Sequence, residues 1–472
     1  MAETITIRKG LDIPIAGAAE KRITNALGIK TYAVKPTDFV GLVPRLCVAE
    51  GDAISVGDAL FCDKHDERIR FTSPVNGYVK AIVRGEKRRL EAVVVEEDQK
   101  YQPAVFDIPC NADEIKALML RCGLWTMLRQ RPFGIIANPD DQPKAIFVSA
   151  FDSAPLAPDY DFALQGKEDF FKKGLEALSQ LTTGKVHVSF RPNQQLVQQL
   201  NISTTQQLNI HYLKGPHPSS NIGTQIAHID PINKGEVIWT MNPQDVAMLG
   251  ELAATGVYRP EKVIAVAGPQ IKNPHYYRIK AGACMGGIVA EQLLNPEYPK
   301  IESNDAVKDN RIISGNVLSG TQIASDGFIG AYDNLLSILP EGNYYDFMGW
   351  LMPGFKKYSF SRTFLSGFLT PFTSKLSTLN SQLSTYQFDT NTHGDERPLV
   401  FTGDFERVFP FNIYPTQLIK ACIVGDIDLM EQLGICEVEP EDFALCEFID
   451  VSKTEIQSII REGLERIRKE SV

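Results

Sequence analysis

The chain has 472 residues, 43% of them hydrophobic and 22% charged, with a net charge of −10 and a pI near 5.4. This is the composition of an ordinary folded protein, long enough for roughly three to four domains. The acidic balance argues against nucleic acid or an anionic membrane as the main partner.

The first readable unit is residues 39–83, where short β-type runs alternate with turn pairs: Glu50-Gly51-Asp52, Gly57-Asp58, Ser73-Pro74 and Asn76-Gly77. Gly and Asn tolerate φ > 0 and Pro presets φ, so each pair suits a tight reversal. Asn76-Gly77 predicts a two-residue hairpin. The order of runs and turns resembles the flattened half-barrel of biotinyl and lipoyl domains, in which a lysine stands at a hairpin tip. Lys64 lies between the two halves here. The module is expected to span 1–103.

A helix should follow, because Asn111 and Glu114 have capping-box spacing and Ile115, Leu118 and Cys122 form an apolar stripe. Ala145–Ala150 and Lys185–Phe190 read as strands, with an amphipathic helix marked by Phe171, Leu175 and Leu178 between them. Val237–Met241 reads as another strand. The next helix is fully punctuated: Asn242 can cap it, Pro243 suits its first turn and Gly256 its left-handed exit. Lys262–Ala267 returns as a strand. This alternation predicts a Rossmann-like parallel sheet within 104–260.

Beyond Gly268 the pattern changes. Arg311–Val317 and Tyr358–Phe364 read as β segments, and the polar stretch Leu376–Arg397 as a mobile loop, giving a smaller α+β unit over 261–400. From 401 to 472 the reading is helical. Asp426 and Gly434 bracket one helix. Ser452 and Glu455 suggest a second capping box, followed by the stripe Ile456, Ile460, Leu464 and Ile467.

Few constellations carry chemistry. Lys64 is flanked by Asp63, His65, Asp66, Glu67 and Arg68, which favours a solvated charged loop over a carrier lysine. The seven histidines form no HxxxH or HExxH pair; His211 and His217 share a Pro/Gly loop without a local carboxylate, so structural roles are favoured over a metal site. The eight cysteines contain no CxxC, and Met1–Gly10 lacks a secretory apolar core, so reduced thiols in the cytoplasm are expected. Cys422, Cys436 and Cys446 are too widely spaced for an iron–sulfur run. No window approaches the ~20 apolar residues that cross a bilayer. Phosphate loops of the GxGxxG or GxxxxGK[ST] kind are missing, and the glycine-rich Ala281–Gly287 reads as a tight turn or close packing. One cluster stands out: Trp125, Arg129, Arg131 and Phe133. Arginines beside aromatics suit a planar polar ring such as a quinone. The competing reading is an interdomain packing corner.

Several blocks resemble one family. Lys9–Gly17, His217–Pro231, Asn242–Gly256, Lys262–Pro269, Arg311–Gly315, Glu406–Pro410 and Glu439–Phe448 look like the NqrA family, whose members are subunits of the Na⁺-translocating NADH:quinone reductases. The resemblance spans essentially the whole chain. It implies a layout similar to RnfC and to the flavin- and NADH-binding subunit of complex I. It also implies a barrel-sandwich hybrid, a Rossmann-like domain, a β-grasp-like unit and a C-terminal helical domain. In those relatives a glycine-rich loop holds FMN and cysteines hold a cluster. The matching stretch here, Gly123–Ile135, has lost the glycine run.

The resemblance therefore implies a peripheral subunit on the cytoplasmic face of the bacterial inner membrane, with no flavin or Fe–S centre of its own and no catalytic residue. FMN, FAD, riboflavin and Fe–S would sit in partner subunits, some of them membrane-embedded. This chain would support NADH-to-quinone electron transfer coupled to Na⁺ export, and quinone is its expected small-molecule ligand. Two rivals remain: a flavin-dependent NADH dehydrogenase subunit of the RnfC or complex I type, and a lipoyl- or biotinyl-type carrier modified on Lys64. Bound flavin would decide for the first, and a mass increment for the second.

Overall fold

A computed structural model describes residues 4–470 except 27, 99–101, 201–206, 295–309, 346–347, 350, 355–356, 361–363 and 367–385. Among the described residues the strands form sheets of seven, six, four, three and two strands.

The N-terminal unit is two small antiparallel sheets face to face. One runs Thr31–Val34, Leu90–Glu97, Gly77–Arg84, Ala53–Ile54, and the other Pro44–Leu46, Ala59–Asp63, Arg70–Thr72. Leu60, Val75, Val79, Val93 and Val95 are buried between them, with Phe61 stacked on Phe71 at 4.6 Å. Asn76-Gly77 does not close a two-residue hairpin. Arg70–Thr72 and Gly77–Arg84 belong to different sheets, and the Asn76 side chain accepts from Val56 N at 2.7 Å instead. The turn residues are right, but tertiary pairing uses them as a crossover between layers.

The first residues leave this unit. Thr4–Thr6 pairs in parallel with Leu208–Lys214, and Glu20–Asn25 with His275–Lys280, so residues 4–25 stitch the two larger sheets together.

The seven-stranded sheet has a parallel centre of Leu208–Lys214, Lys185–Phe190, Ala145–Ser149 and Ile238–Thr240. Arg129–Arg131 and Ile135–Ile136 add an antiparallel edge. Every residue of Ala145–Ser149 is buried, as expected for a strand covered on both faces. Ile222–Ile229 packs on one face, and Ile226 joins Ala145, Phe147 and Ile238 in a small core. Glu168–Gln180 and Pro243–Thr255 pack against each other in the main core. Pro243–Thr255 has the predicted ends: Asn242 accepts from Gln244 N, and Gly256 sits at φ 69. The helix from Asn111 is a variant. Asn111 accepts from Glu114 N, but the Glu114 carboxylate takes Cys110 N rather than the N–H of Asn111.

The two packed helices touch backbone to backbone. A Cβ on Gly174 would lie 1.9 Å from the Val246 carbonyl oxygen, and one on Gly250 would lie 1.7 Å from that of Phe170. Neither partner is a flexible side-chain tip, so the helices themselves must separate. Gly174→Ala is expected to cost about 1–3 kcal/mol by overpacking. Gly287→Ala, at a glycine with open space around it, should cost little. Thermal unfolding of the two variants checks the contrast.

The third unit is a mixed sheet in the order Glu20–Asn25, His275–Lys280, Glu261–Ala267, Leu335–Pro340, Asn310–Ser314, Thr321–Ile323. Tyr358–Phe364 forms no strand among its described residues; Tyr358 packs its ring against Tyr386, Phe388 and Phe448. Of the expected mobile loop, residues 376–385 lie outside the described residues. The remainder is tied down: Tyr386 N donates to Pro14 O and Arg397 N to Ser452 O.

Helices Phe405–Val408, Pro415–Val424, Ile427–Gln432, Ala444–Ile449 and Ile456–Glu470 close the chain. Asp426 and Gly434 bracket Ile427–Gln432 as predicted. Ser452 does not cap the last helix: its hydroxyl donates to Pro398 O, while Asp450 accepts from Ser452 N and Thr454 N and Glu447 from Gln457 N. The stripe Ile456, Ile460, Leu464 and Ile467 is fully buried.

Candidate functional site at the interdomain junctions

Charged residues converge where the units meet. A cleft of about 70 Å³, with room for a handful of water molecules, lies between the N-terminal unit, the seven-stranded-sheet unit and the third unit. Gly282 closes one wall by backbone approach: Ala33 N donates to its carbonyl at 2.8 Å, and a Cβ there would strike Ala33 O. Lys262 and Asp245 face each other in this wall, both almost wholly buried. The ammonium is 3.1 Å from Oδ1 and 3.5 Å from Oδ2, a splayed contact, and its best bond is to Ala331 O at 2.7 Å. Lys35 pairs with Asp38 at 3.1 Å, and Asp38 accepts from Ala331 N. Burial raises the carboxyls of Asp38, Asp245 and Asp333, with the lysines pulling the other way. Burial costs such pairs much of their Coulombic gain, so they are weak evidence for stability. The cleft can order water and small polar groups.

The cationic–aromatic cluster forms the second junction. Arg131 is 4% exposed and grips three carboxylates: Nη1 donates to Asp442 at 3.1 Å, Nη2 to Glu441 at 2.8 Å, and Nε lies 3.4 Å from Glu439. Arg129 donates to Glu439 at 2.9 Å and lies over the Tyr332 ring at 5.3 Å. Arg461 donates to the Phe133 carbonyl at 2.7 Å. The acids are held in turn by a capping box, in which Asp442 accepts from Glu439 N. Burial, reinforced by Glu441 and Glu439, pushes Asp442 up to about 7 despite Arg131. Burial alone would also raise Glu441, but Arg129 and Arg131 outweigh it and hold it low.

Arg129 and Arg131 are therefore brought together with Glu439, Glu441 and Asp442. Trp125 sits apart in the core, with Nε1 donating to Ala137 O and its ring edge-on to Trp239 at 5.4 Å. Phe133 is half-buried, with its carbonyl turned to Arg461. The sequence reading missed the acidic partners; the legible signal was the run Glu439-Pro440-Glu441-Asp442.

A third polar group lies at the carboxyl ends of the parallel strands, where open α/β sheets bind ligands. Ser153 Oγ is 3.1 Å from His217 Nδ1 and 2.8 Å from Ser220 Oγ, and Ser220 donates to Asp152 at 3.3 Å. The carboxylate addresses Ser220, not the imidazole, so this is not a charge-oriented triad. Burial lowers His217 to about 4 and raises Asp152. His211 and His217 do not meet. His211 bonds His187 Nδ1 at 2.8 Å, and burial lowers both of these imidazoles as well.

The residues present do not fit the redox groups of the RnfC and complex I relatives. In Gly123–Ile135, the stretch that matches the FMN loop of those relatives, Thr126 N and Leu128 N are spent on Gly123 O and Trp125 O, and Trp125 is wholly buried. Cys422 and Cys446 are buried thiols raised by desolvation, Cys422 to about 11, which opposes the thiolate a cluster needs. Among the described residues no group of three His, Cys, Asp or Glu is placed to hold a metal ion. Lys64 is exposed between Ala59–Asp63 and Arg70–Thr72, its backbone N bonded to Val43 O, beside Asp66 paired with Arg68.

Comparison with known proteins agrees along the chain. Residues 5–98 match the NqrA N-terminal barrel-sandwich hybrid domain, 110–258 the NqrA second alpha/beta domain and 263–325 the NQRA C-terminal domain. The NqrA protein of the Na⁺-translocating NADH-quinone reductase of Yersinia pseudotuberculosis (strain IP 31758) is 37% identical over 473 residues, covering 99% of this chain and all of its own. Those of Neisseria meningitidis serogroup B and Haemophilus influenzae (strain PittGG) are 38% identical over 477 residues at the same coverage. With that identity sustained end to end, the chain belongs to the NqrA family of Na⁺-translocating NADH-quinone reductase subunits.

Proposed function

We propose that the chain is the peripheral, cytoplasm-facing subunit of a sodium-pumping NADH:quinone oxidoreductase and holds no flavin or Fe–S centre itself. Full-length similarity to NqrA proteins carries the assignment to the complex. The support for vacancy is that Trp125 and internal hydrogen bonds occupy the place of a phosphate loop. The second unit is read as Rossmann-like, the third as β-grasp-like. Electrons pass through FMN, FAD, riboflavin and Fe–S groups of partner subunits, including membrane-embedded ones. Among the described residues no helix is long and apolar enough to cross a membrane, so attachment runs through partners and surface contacts. A quinone reaching the cationic corner meets Arg129 and Phe133, which keep some solvent-facing surface, rather than Trp125 or Arg131.

The test is the absorbance of the freshly purified chain and its NADH oxidation. A colourless, inactive protein that co-purifies with the other subunits from native membranes is expected. A stoichiometric flavin, or unaided NADH oxidation, overturns the reading in favour of an RnfC-like dehydrogenase.

A further inference from the structure

Two cysteines of the N-terminal unit share one acceptor. The sulfurs of Cys47 and Cys62 each lie 3.8 Å from the Arg45 carbonyl oxygen. The ladder between Pro44–Leu46 and Ala59–Asp63 brings them there. Arg45 stands opposite Cys62, and two positions on Cys47 N donates to Leu60 O at 3.0 Å. The two residues are therefore diagonal neighbours on one face of the sheet, and their thiols hydrogen-bond each other. Cys110, Cys122 and Cys284 instead address separate carbonyls, those of Ile108, Met119 and Asp326.

The paired thiols differ in access. Cys47 is exposed, whereas Cys62 is buried at 6% exposure. Burial, reinforced by Cys47, pushes the Cys62 thiol up to about 11. An oxidant arriving from solvent meets Cys47 first and finds Cys62 protected one contact behind it. An accessible sulfur with a second thiol in reach is the make-up of an oxidised cysteine and its resolving partner. Diagonal neighbours on a ladder stand about 7–8 Å apart between Cα atoms, at the upper end of what a disulfide spans. Pro44–Leu46 can make up the difference, because it is a three-residue strand at the edge of its sheet. Ala59–Asp63 is also irregular where it pairs with Arg70–Thr72. A bond at this exposed edge is of the labile kind that thiols reopen.

We propose that Cys47 and Cys62 form a peroxide-responsive dithiol, in which Cys47 takes the oxidant and Cys62 resolves it as a reversible disulfide. The Cys47 thiolate attacks hydrogen peroxide; an S–O bond forms, the O–O bond breaks, and hydroxide leaves to take up the proton the thiol released. The Cys62 sulfur then attacks the Cys47 sulfenic acid. The S–S bond forms, the S–O bond breaks, and the hydroxyl leaves as water with the Cys62 proton. Two thiols and one peroxide become one disulfide and two waters, with both electrons ending on peroxide oxygen. Closing the disulfide keeps Cys47 from passing on to the irreversible sulfinic and sulfonic acids.

Treating the purified full chain with hydrogen peroxide tests this. The intact mass is expected to fall by about 2 Da, non-reducing peptide mapping to join the Cys47 and Cys62 peptides, and dithiothreitol to restore both thiols. In Cys62→Ser, dimedone is expected to label Cys47 about tenfold more than in the wild type, and excess peroxide to carry Cys47 to a sulfinic acid that dithiothreitol does not reverse. Should that variant not fold, Cys47→Ser, at an exposed position, should abolish the disulfide and leave Cys62 unoxidised. A stable Cys47 sulfenic acid in the wild type, first oxidation at Cys110, Cys284 or Cys436, or Cys62 oxidised as fast in Cys47→Ser as in the wild type overturns the proposal.

Discussion

Replacing Arg131 with alanine is expected to cost about 3–5 kcal/mol, because it strands buried carboxylates without their cation. Glu439 and Asp442 are 2% exposed, and Asp442 Oδ1 has no hydrogen-bond partner to fall back on. Arg129 remains to hold Glu439 but does not reach Asp442. The loss falls on the docking of the C-terminal helices, so limited proteolysis within 405–470 should precede global unfolding in the variant. Arg131→Lys keeps the charge without the planar fork that meets several acids at once, and is expected to fall between. The share of this cost carried by Asp442 should shrink as pH falls toward about 7 from the alkaline side and be constant below it. With Arg131 in place Asp442 is held near 7, and without the guanidinium it is pushed higher, so the two proteins differ in protonation only above that point and a protonated carboxyl no longer needs its cation. A difference independent of pH would show that Arg131 acts by packing instead. The same variant is a poor probe of quinone contact, since any lost affinity would be confounded by a displaced domain.

What could be read in advance was mostly what neighbours in sequence decide. The ends of Pro243–Thr255 were legible because Asn242, Pro243 and Gly256 act within a turn of the helix they bound. The stripe from Ile456 to Ile467 was legible because a helical face is a local period. Sheet membership was not. Thr4–Thr6 pairs with residues more than half-way along the second unit, and nothing in a three-residue strand announces its partner. Asn76-Gly77 shows the same limit, since turn chemistry dictates a bend but not which sheet follows it. In the last helix the Ser452 spacing was imitated by chance, while Asp450 and Glu447, reaching over from the preceding helix, met the free N–H groups. At the candidate site the arginines and aromatics were visible, but their carboxylates lie some 310 positions away. Composition indicated a cation-rich corner without saying what neutralises it, which is why a ligand and a packing role looked alike.

The second large effect concerns acid, and its sign follows from His217. Its imidazole is 3% exposed, and burial lowers it to about 4 from an ordinary 6.5. The native state therefore resists protonation more than the unfolded chain does. Stability from His217 is complete above about pH 6.5 and is lost as pH falls toward 4, amounting to about 3 kcal/mol at the acid end. Other groups move with pH as well. Burial raises Asp152, which strengthens the fold on acidification, and lowers His187, which weakens it. A single pH curve would mix these contributions. His217→Asn separates them, because asparagine offers an acceptor for Ser153 Oγ and cannot titrate, while the other groups are common to both proteins. The wild-type advantage in unfolding temperature should be constant above pH 7, narrow below 6.5 and reverse or vanish near 4. Parallel curves across that range would mean that the imidazole is hydrated in solution and titrates normally, and the buried Ser153–His217–Ser220 network would lose its place as the acid-sensitive point of the fold.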